Sequence, residues 1–135
     1  MRLMLGLAAA LMAPALAMAQ PQAEPAAPAP TVDPMRAIAE ADIRDALLDP
    51  DSARFKWTGA FIDRVSFQPT IFSPTTTGNL KVGCGRVNSR NRMGGMVGFT
   101  WFWVLIKDGV AVRHDIDAAD EGMHMAQAVC AQLGY

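Results

Sequence analysis

The chain has 135 residues, 51% of them apolar, and a formal net charge of −1. That length is room for one domain. The near-neutral charge is not the balance of a nucleic-acid-binding protein, and it does not suggest strong steering toward polyanions or membranes.

The N-terminus reads as a signal peptide over residues 1–19. Met1-Arg2-Leu3 is a one-charge start, an apolar run follows to about Ala13, and Ala17-Met18-Ala19 offers small residues at the two positions a signal peptidase reads. Cleavage is expected before Gln20. The apolar run is shorter than the roughly 20 residues of a spanning helix, and Pro14 interrupts it. No cysteine lies near the cleavage site, which disfavours a lipid anchor. Export to the periplasm or the medium is therefore expected, with no stable membrane insertion after cleavage. Residues 20–34 hold Pro21, Pro25, Pro28, Pro30 and Pro34 among alanines, the composition of an extended, semi-rigid linker.

One globular domain is expected over residues 35–135. Residues 35–48 read as a helix. Asp33 can cap it, Pro34 suits its first position, and Met35, Ala39, Ile43, Ala46 and Leu47 share a face. Pro50 stops it. The turn-rich segment Asp49-Pro50-Asp51-Ser52-Ala53-Arg54-Phe55 comes next. Residues 57–67 read as one strand with Trp57, Phe61, Val65 and Phe67 on a face that Asp63 interrupts, and residues 68–78 read as a loop.

Leu80, Val82 and Cys84 alternate with Lys81, Gly83 and Gly85, the period of a half-buried strand. A polar, glycine-containing loop follows over residues 88–95. Residues 97–107 give the strongest strand signal: Phe99, Trp101, Trp103 and Leu105 lie on one face, Phe102, Val104 and Ile106 on the other, as in a central strand. Asp108-Gly109 predicts a two-residue hairpin into a short strand at residues 110–113. A final helix has Asp117 as N-cap, Asp120 and Glu121 in its first turn, and Gly134 past its end. Its stripe is Ala119, Met123, Ala126, Cys130 and Leu133. The fold class is α+β: helix, antiparallel sheet of about four strands, helix.

The chain has two cysteines, Cys84 and Cys130. An even count in an oxidising compartment suggests pairing, and both fall on apolar faces of their elements. A buried strand–helix disulfide is expected. In the chain-entropy model such a bond contributes roughly 4 kcal/mol.

Chemistry is sparse. Residues 84–95 carry three arginines, two asparagines and three glycines. Arginines are forked donors for carboxylate or phosphate, and glycine-rich backbone can form an anion nest. The candidate binding surface is therefore Arg86, Asn88, Arg90, Asn91 and Arg92. The same asparagines and glycines also suit a purely structural turn. No phosphate-binding loop, Gly-x-Ser-x-Gly elbow or His-x-x-x-His spacing occurs. No catalytic residue, metal ligand or cofactor is assigned. His114 and His124 read as surface histidines. Trp101-Phe102-Trp103 reads as sheet core rather than a ligand platform, and Met123-His124-Met125 as helix rather than a soft-metal site.

The segments Asp49-Pro50-Asp51-Ser52-Ala53-Arg54-Phe55 and Cys84-Gly85-Arg86-Val87-Asn88-Ser89-Arg90-Asn91-Arg92-Met93-Gly94-Gly95 resemble those of an uncharacterised family of small exported bacterial proteins. Its pattern runs Asp-Pro-x-Ser-Ala-x-Phe, then Cys-Gly-x-Val-Asn-x-x-Asn-x-x-Gly-Gly. The likeness covers roughly residues 47–102. Met96 stands where that family usually has an aromatic residue. The resemblance implies a discrete exported domain and no catalytic assignment. A non-enzymatic binding module for another protein or envelope component is the leading expectation. The alternatives are a small periplasmic hydrolase using Asp63, Asp115 or Asp117 with His114, and a structural subunit of an envelope assembly.

Overall fold

The computed structural model describes residues 32–118, 122 and 124–135. The expected signal peptide, most of the expected linker, and Ala119, Asp120, Glu121 and Met123 lie outside them.

The chain folds as a two-helix, five-stranded α+β domain. The order is α1 (Pro34–Asp45), a single 3-10 turn (Pro50–Ser52), β1 (Arg54–Trp57), β2 (Ile62–Phe67), β3 (Thr76–Asn88), β4 (Thr100–Lys107), β5 (Val110–Ile116) and α2 (Met125–Gln132). The sheet is antiparallel throughout, in the order β1-β3-β4-β5. β2 also pairs with β3, through Thr76–Val82, while β1 pairs with Gly85–Asn88. The two short strands therefore lie end to end along one edge of the long one.

This corrects the single strand expected over residues 57–67. The chain leaves the ladder after Trp57, and Thr58 bonds the Cys84 carbonyl through both its N–H and its hydroxyl, at 3.2 and 2.8 Å. Phe61 folds over Gly83, where an added Cβ would sit 2.5 Å from its ring. The chain then rejoins β3 as β2. A register shift between Arg64 and Ser66 interrupts that pairing, and Val65 is exposed. Other boundaries move as well. β3 starts within the expected loop and continues to Asn88, β4 begins at Thr100 rather than residue 97, and α1 ends at Asp45 rather than residue 48.

Each sheet face carries its own core. One face packs Leu80, Val82, Cys84, Trp103 and Leu105 against Ala126, Val129 and Cys130 of α2. The other packs Val87, Phe102, Val104 and Ile106 against Ala39 and Ile43 of α1. The β4 alternation reads correctly, and β4 is flanked on both sides. Gly85 makes room for Phe102, whose ring would lie 2.7 Å from a Cβ there. The β4–β5 hairpin closes at Asp108-Gly109 with φ of 50° and 79°. Positive φ at both residues is the type I′ turn whose twist suits the flanking strands.

Asp33 caps α1 as expected, accepting from Met35 N–H at 3.0 Å. The α2 cap differs from expectation. The helix begins at Met125, and His124, expected inside it, is its N-cap residue without a side-chain cap. Asp117 still supplies the cap from outside the helix: its buried carboxylate accepts from Ala126 N–H at 2.7 Å and Gln127 N–H at 3.1 Å. Asp120 and Glu121, expected in the first turn, lie outside the described residues, and the first turn from Met125 holds no acid.

Cys84 and Cys130 form a disulfide with a Cα–Cα distance of 5.9 Å. The bond ties α2 to the middle of β3, and both residues are fully buried. Replacing both cysteines by alanine is expected to lower unfolding free energy by about 2–5 kcal/mol, read as a fall in midpoint in urea melts. At the chain's last residue the Tyr135 hydroxyl donates to the carbonyl oxygens of Ala60 and Val82. Burial raises its phenol above the ordinary value of 10.0. A group raised on folding stabilises fully below its unfolded value and stops doing so as pH climbs through the folded one. The stability gap between wild type and Tyr135→Phe should therefore hold at neutral pH and narrow above about pH 10, as urea melts across that range would show.

Candidate functional site

The expected binding loop separates into two parts with different jobs. Asn88 and Asn91 shape backbone. Asn91 Oδ1 accepts from the N–H groups of Met93 (3.0 Å) and Gly95 (3.1 Å), while its own N–H donates to the Gly95 carbonyl at 2.9 Å. Asn88 Oδ1 accepts from Gly98 N–H at 3.0 Å. These are the side-chain-to-backbone bonds that make asparagine a turn residue.

Arg90 is held in the same way. Its N–H donates to Ser52 Oγ at 2.9 Å, and its guanidinium stands 3.7 Å from the Asp49 carboxylate. Ser52 Oγ donates in turn to the Asp49 carbonyl at 2.8 Å, and Asp49 Oδ1 accepts from Ser52 N–H at 3.3 Å. The segments at residues 49–55 and 84–95 thus meet in space and form one hydrogen-bonded joint. Ser52 and Ser89 are both buried there. Arg92 and Met93 project from the exposed tip.

Arg86 belongs elsewhere. Cross-strand register puts Lys56, Arg86 and Trp101 in one row across β1, β3 and β4. Arg54 lies two residues before Lys56 and shares its face. The row is on the same face as Cys84 and Trp103, which α2 covers; α2 stops short of the row itself. Lys56 Nζ lies 4.2 Å from the Phe99 ring centroid. The Arg86 guanidinium lies 5.9 Å from the centroids of both Phe99 and Trp101, and its Nη2 donates to the Phe99 carbonyl at 3.3 Å. Such contacts orient a cation while leaving it solvated. Among the described residues no carboxylate pairs with Arg54, Lys56 or Arg86.

Beside this row is an open cleft of about 330 Å³. Arg86, Phe99 and Trp101 form one wall, and Asp117, His124 and Gln127 the other. Asp117 is committed to the α2 cap, with His124 Nδ1 3.9 Å from its Oδ2. Among the described lining residues, the exposed polar side chains left to face a ligand are the Arg86 guanidinium, His124 and Gln127. The aromatic triplet is divided accordingly. Phe102 and Trp103 are buried on opposite faces, whereas Trp101 is half-buried and borders the cleft.

The acids and histidine of the hydrolase alternative are dispersed. His114 Nδ1 bonds Asp42 of α1 at 2.7 Å, joining α1 to β5. Asp63 pairs with Lys81, Asp117 caps α2, and Asp115 Oδ1 accepts from Ile116 N–H. None of the three acids pairs with His114. Among the described residues no group of three or more His, Cys, Asp or Glu is placed to hold a metal.

The sequence does not single out Lys56 or Phe99 as a site, and Trp101, weighed as part of a ligand platform and read as sheet core, is half-buried at the cleft. Their alternation was legible, but the register that sets residues 56, 86 and 101 side by side was not. Ser52→Ala and Asn91→Ala should each lower stability by about 1–3 kcal/mol, because the N–H groups of Arg90, Met93 and Gly95 lose their acceptors. Arg92→Ala at the tip should change it by less than about 0.5 kcal/mol; urea melts of the three variants check this. No family model matches the chain, and neither a curated protein nor a solved structure matches it.

Proposed function

We propose that the protein is an exported envelope protein whose domain is a non-enzymatic binding module for a carboxylate-bearing partner. The observation that carries this is the row of Arg54, Lys56 and Arg86 beside Phe99, Trp101 and an open cleft. Cations placed over aromatic faces are already oriented, so less freedom is lost when an anion arrives. Phe99 and Trp101 add flat apolar contact next to the charges, which suits an extended acidic chain better than a lone ion.

Export is supported by the residues 1–19 pattern and by the disulfide, a bond that persists in oxidising compartments. Among the described residues no helix is long and apolar enough to cross a membrane. Periplasm or medium is the location that fits these features. The resemblance to small exported bacterial proteins is in keeping with it, and the joint between Asp49, Ser52 and Arg90 gives both landmark segments a structural reason to occur together.

The test uses two carboxylate polymers as probes, polyglutamate and polygalacturonate, titrated against the purified protein at low and at raised salt. Binding that weakens with salt is expected. Lys56→Glu/Arg86→Glu should weaken it at least tenfold, about 1.4 kcal/mol. Arg64→Glu, at the other end of the sheet, should leave it within twofold. Equal loss from both variants, or no binding of either probe by wild type, would overturn the proposal.

A further inference from the structure

The turn Thr70-Ile71-Phe72-Ser73 is unusual in what it displays. Ser73 N–H donates to the Thr70 carbonyl at 3.0 Å, which places Ile71 and Phe72 at the two corner positions. Corners of this kind favour Gly, Pro, Asn, Asp and Ser. Here they carry two large apolar side chains, 84% and 92% exposed.

The turn is also braced. Gln68 Nε2 donates to the carbonyl oxygens of Ser73 (2.9 Å) and Ile71 (3.4 Å), and the Thr70 and Ser73 hydroxyls bond each other at 2.7 Å. Pro69 is buried beneath it. From residue 68 to 79 the segment carries no charge. Two cations stand at its base. Arg113 Nη1 donates to the Pro74 carbonyl at 3.2 Å, and Arg64 borders the same cleft as Gln68 and Pro69.

We propose that this turn is a reversible anchor for a lipid surface with anionic headgroups, Ile71 and Phe72 entering the headgroup–acyl boundary while Arg64 and Arg113 meet the phosphates. A braced, uncharged turn loses little freedom on insertion. Two apolar side chains backed by basic residues match the interface of an anionic bilayer. A protein partner would instead need a patch of roughly 800 Å², and the exposed apolar corner is only two residues wide. Such contact lies on the membrane surface and spans nothing. It is independent of the Lys56–Arg86 row, which lies at the opposite end of β3.

The experiment is co-sedimentation of the purified protein with vesicles of phosphatidylcholine alone or mixed equally with phosphatidylglycerol. Wild type should pellet with the mixed vesicles and less with the neutral ones. Phe72→Ser and Ile71→Ser should each lower partitioning about tenfold with unchanged melting, since neither side chain is buried, and Arg64→Gln should weaken it on mixed vesicles only. In Phe72→Trp the indole emission added by the substitution should shift to the blue when lipid is present. Absence of wild-type pelleting, or pelleting lost in Lys56→Glu/Arg86→Glu but kept in Phe72→Ser, would overturn the anchor. The second result would assign lipid binding to the cationic row instead.

Discussion

The Cys84–Cys130 bond is the constraint on which the rest of the arrangement depends. α2 has only eight residues, too short to persist alone. It has no side-chain cap from its own N-cap residue and buries just Ala126, Val129 and Cys130. The disulfide fixes it to the middle of β3, and Asp117 satisfies its first N–H groups from the end of β5. Where α2 is pinned decides which part of that sheet face is dry. Leu80, Val82, Trp103 and Leu105 are sealed beneath it, and among the described residues no helix covers the face beyond its N-terminus. The Arg54–Lys56–Arg86 row is therefore exposed because of where one covalent bond holds one short helix.

The opposite face is closed differently. α1 is held by packing of Ala39 and Ile43 and by a polar lattice around it. Glu40 accepts from Trp57 Nε1 at 3.0 Å and pairs with Arg44, Arg36 and Arg44 stack over Trp57 and Phe55, and Asp42 bonds His114. Residues that invite a chemical reading in the sequence, His114 foremost, are fastenings between layers here. Several acids are likewise committed to caps and layer contacts, Asp33, Asp49 and Asp117 to helix or turn N-termini and Glu40 and Asp42 to contacts of α1.

Much of the fold was legible in the sequence because its signals are local. The α1 cap, the β4 alternation, the Asp108-Gly109 turn and the apolar placement of both cysteines each depend on residues a few positions apart. The misreading of residues 57–67 has a physical cause. Odd-numbered apolar residues in that stretch look like one strand face, yet Phe61 reaches Gly83 from a crossing segment and Val65 sits at a register shift. Periodicity cannot report that two strands share one neighbour. The site was less legible for the same reason. Residue type pointed at the arginine–asparagine loop, where Asn88, Arg90 and Asn91 are occupied by backbone and by Asp49. The cationic row is assembled by register between β1 and β3, with Trp101 of β4 beside it, a long-range property that no single segment encodes.

The end-to-end placement of β1 and β2 has a consequence for the molecule's behaviour in a crowded compartment. A long exposed strand is a template on which another chain can add itself. On this side of the sheet the border is cut into pieces of four and six residues, separated by the chain crossing at residues 58–61 and notched by the shift at Arg64 and Ser66. Asp63 and Arg64 place charges along the longer piece. A thirteen-residue strand such as β3 would be a dangerous border, and the fold keeps it inside. The broken strand thus protects the protein against sheet-to-sheet aggregation.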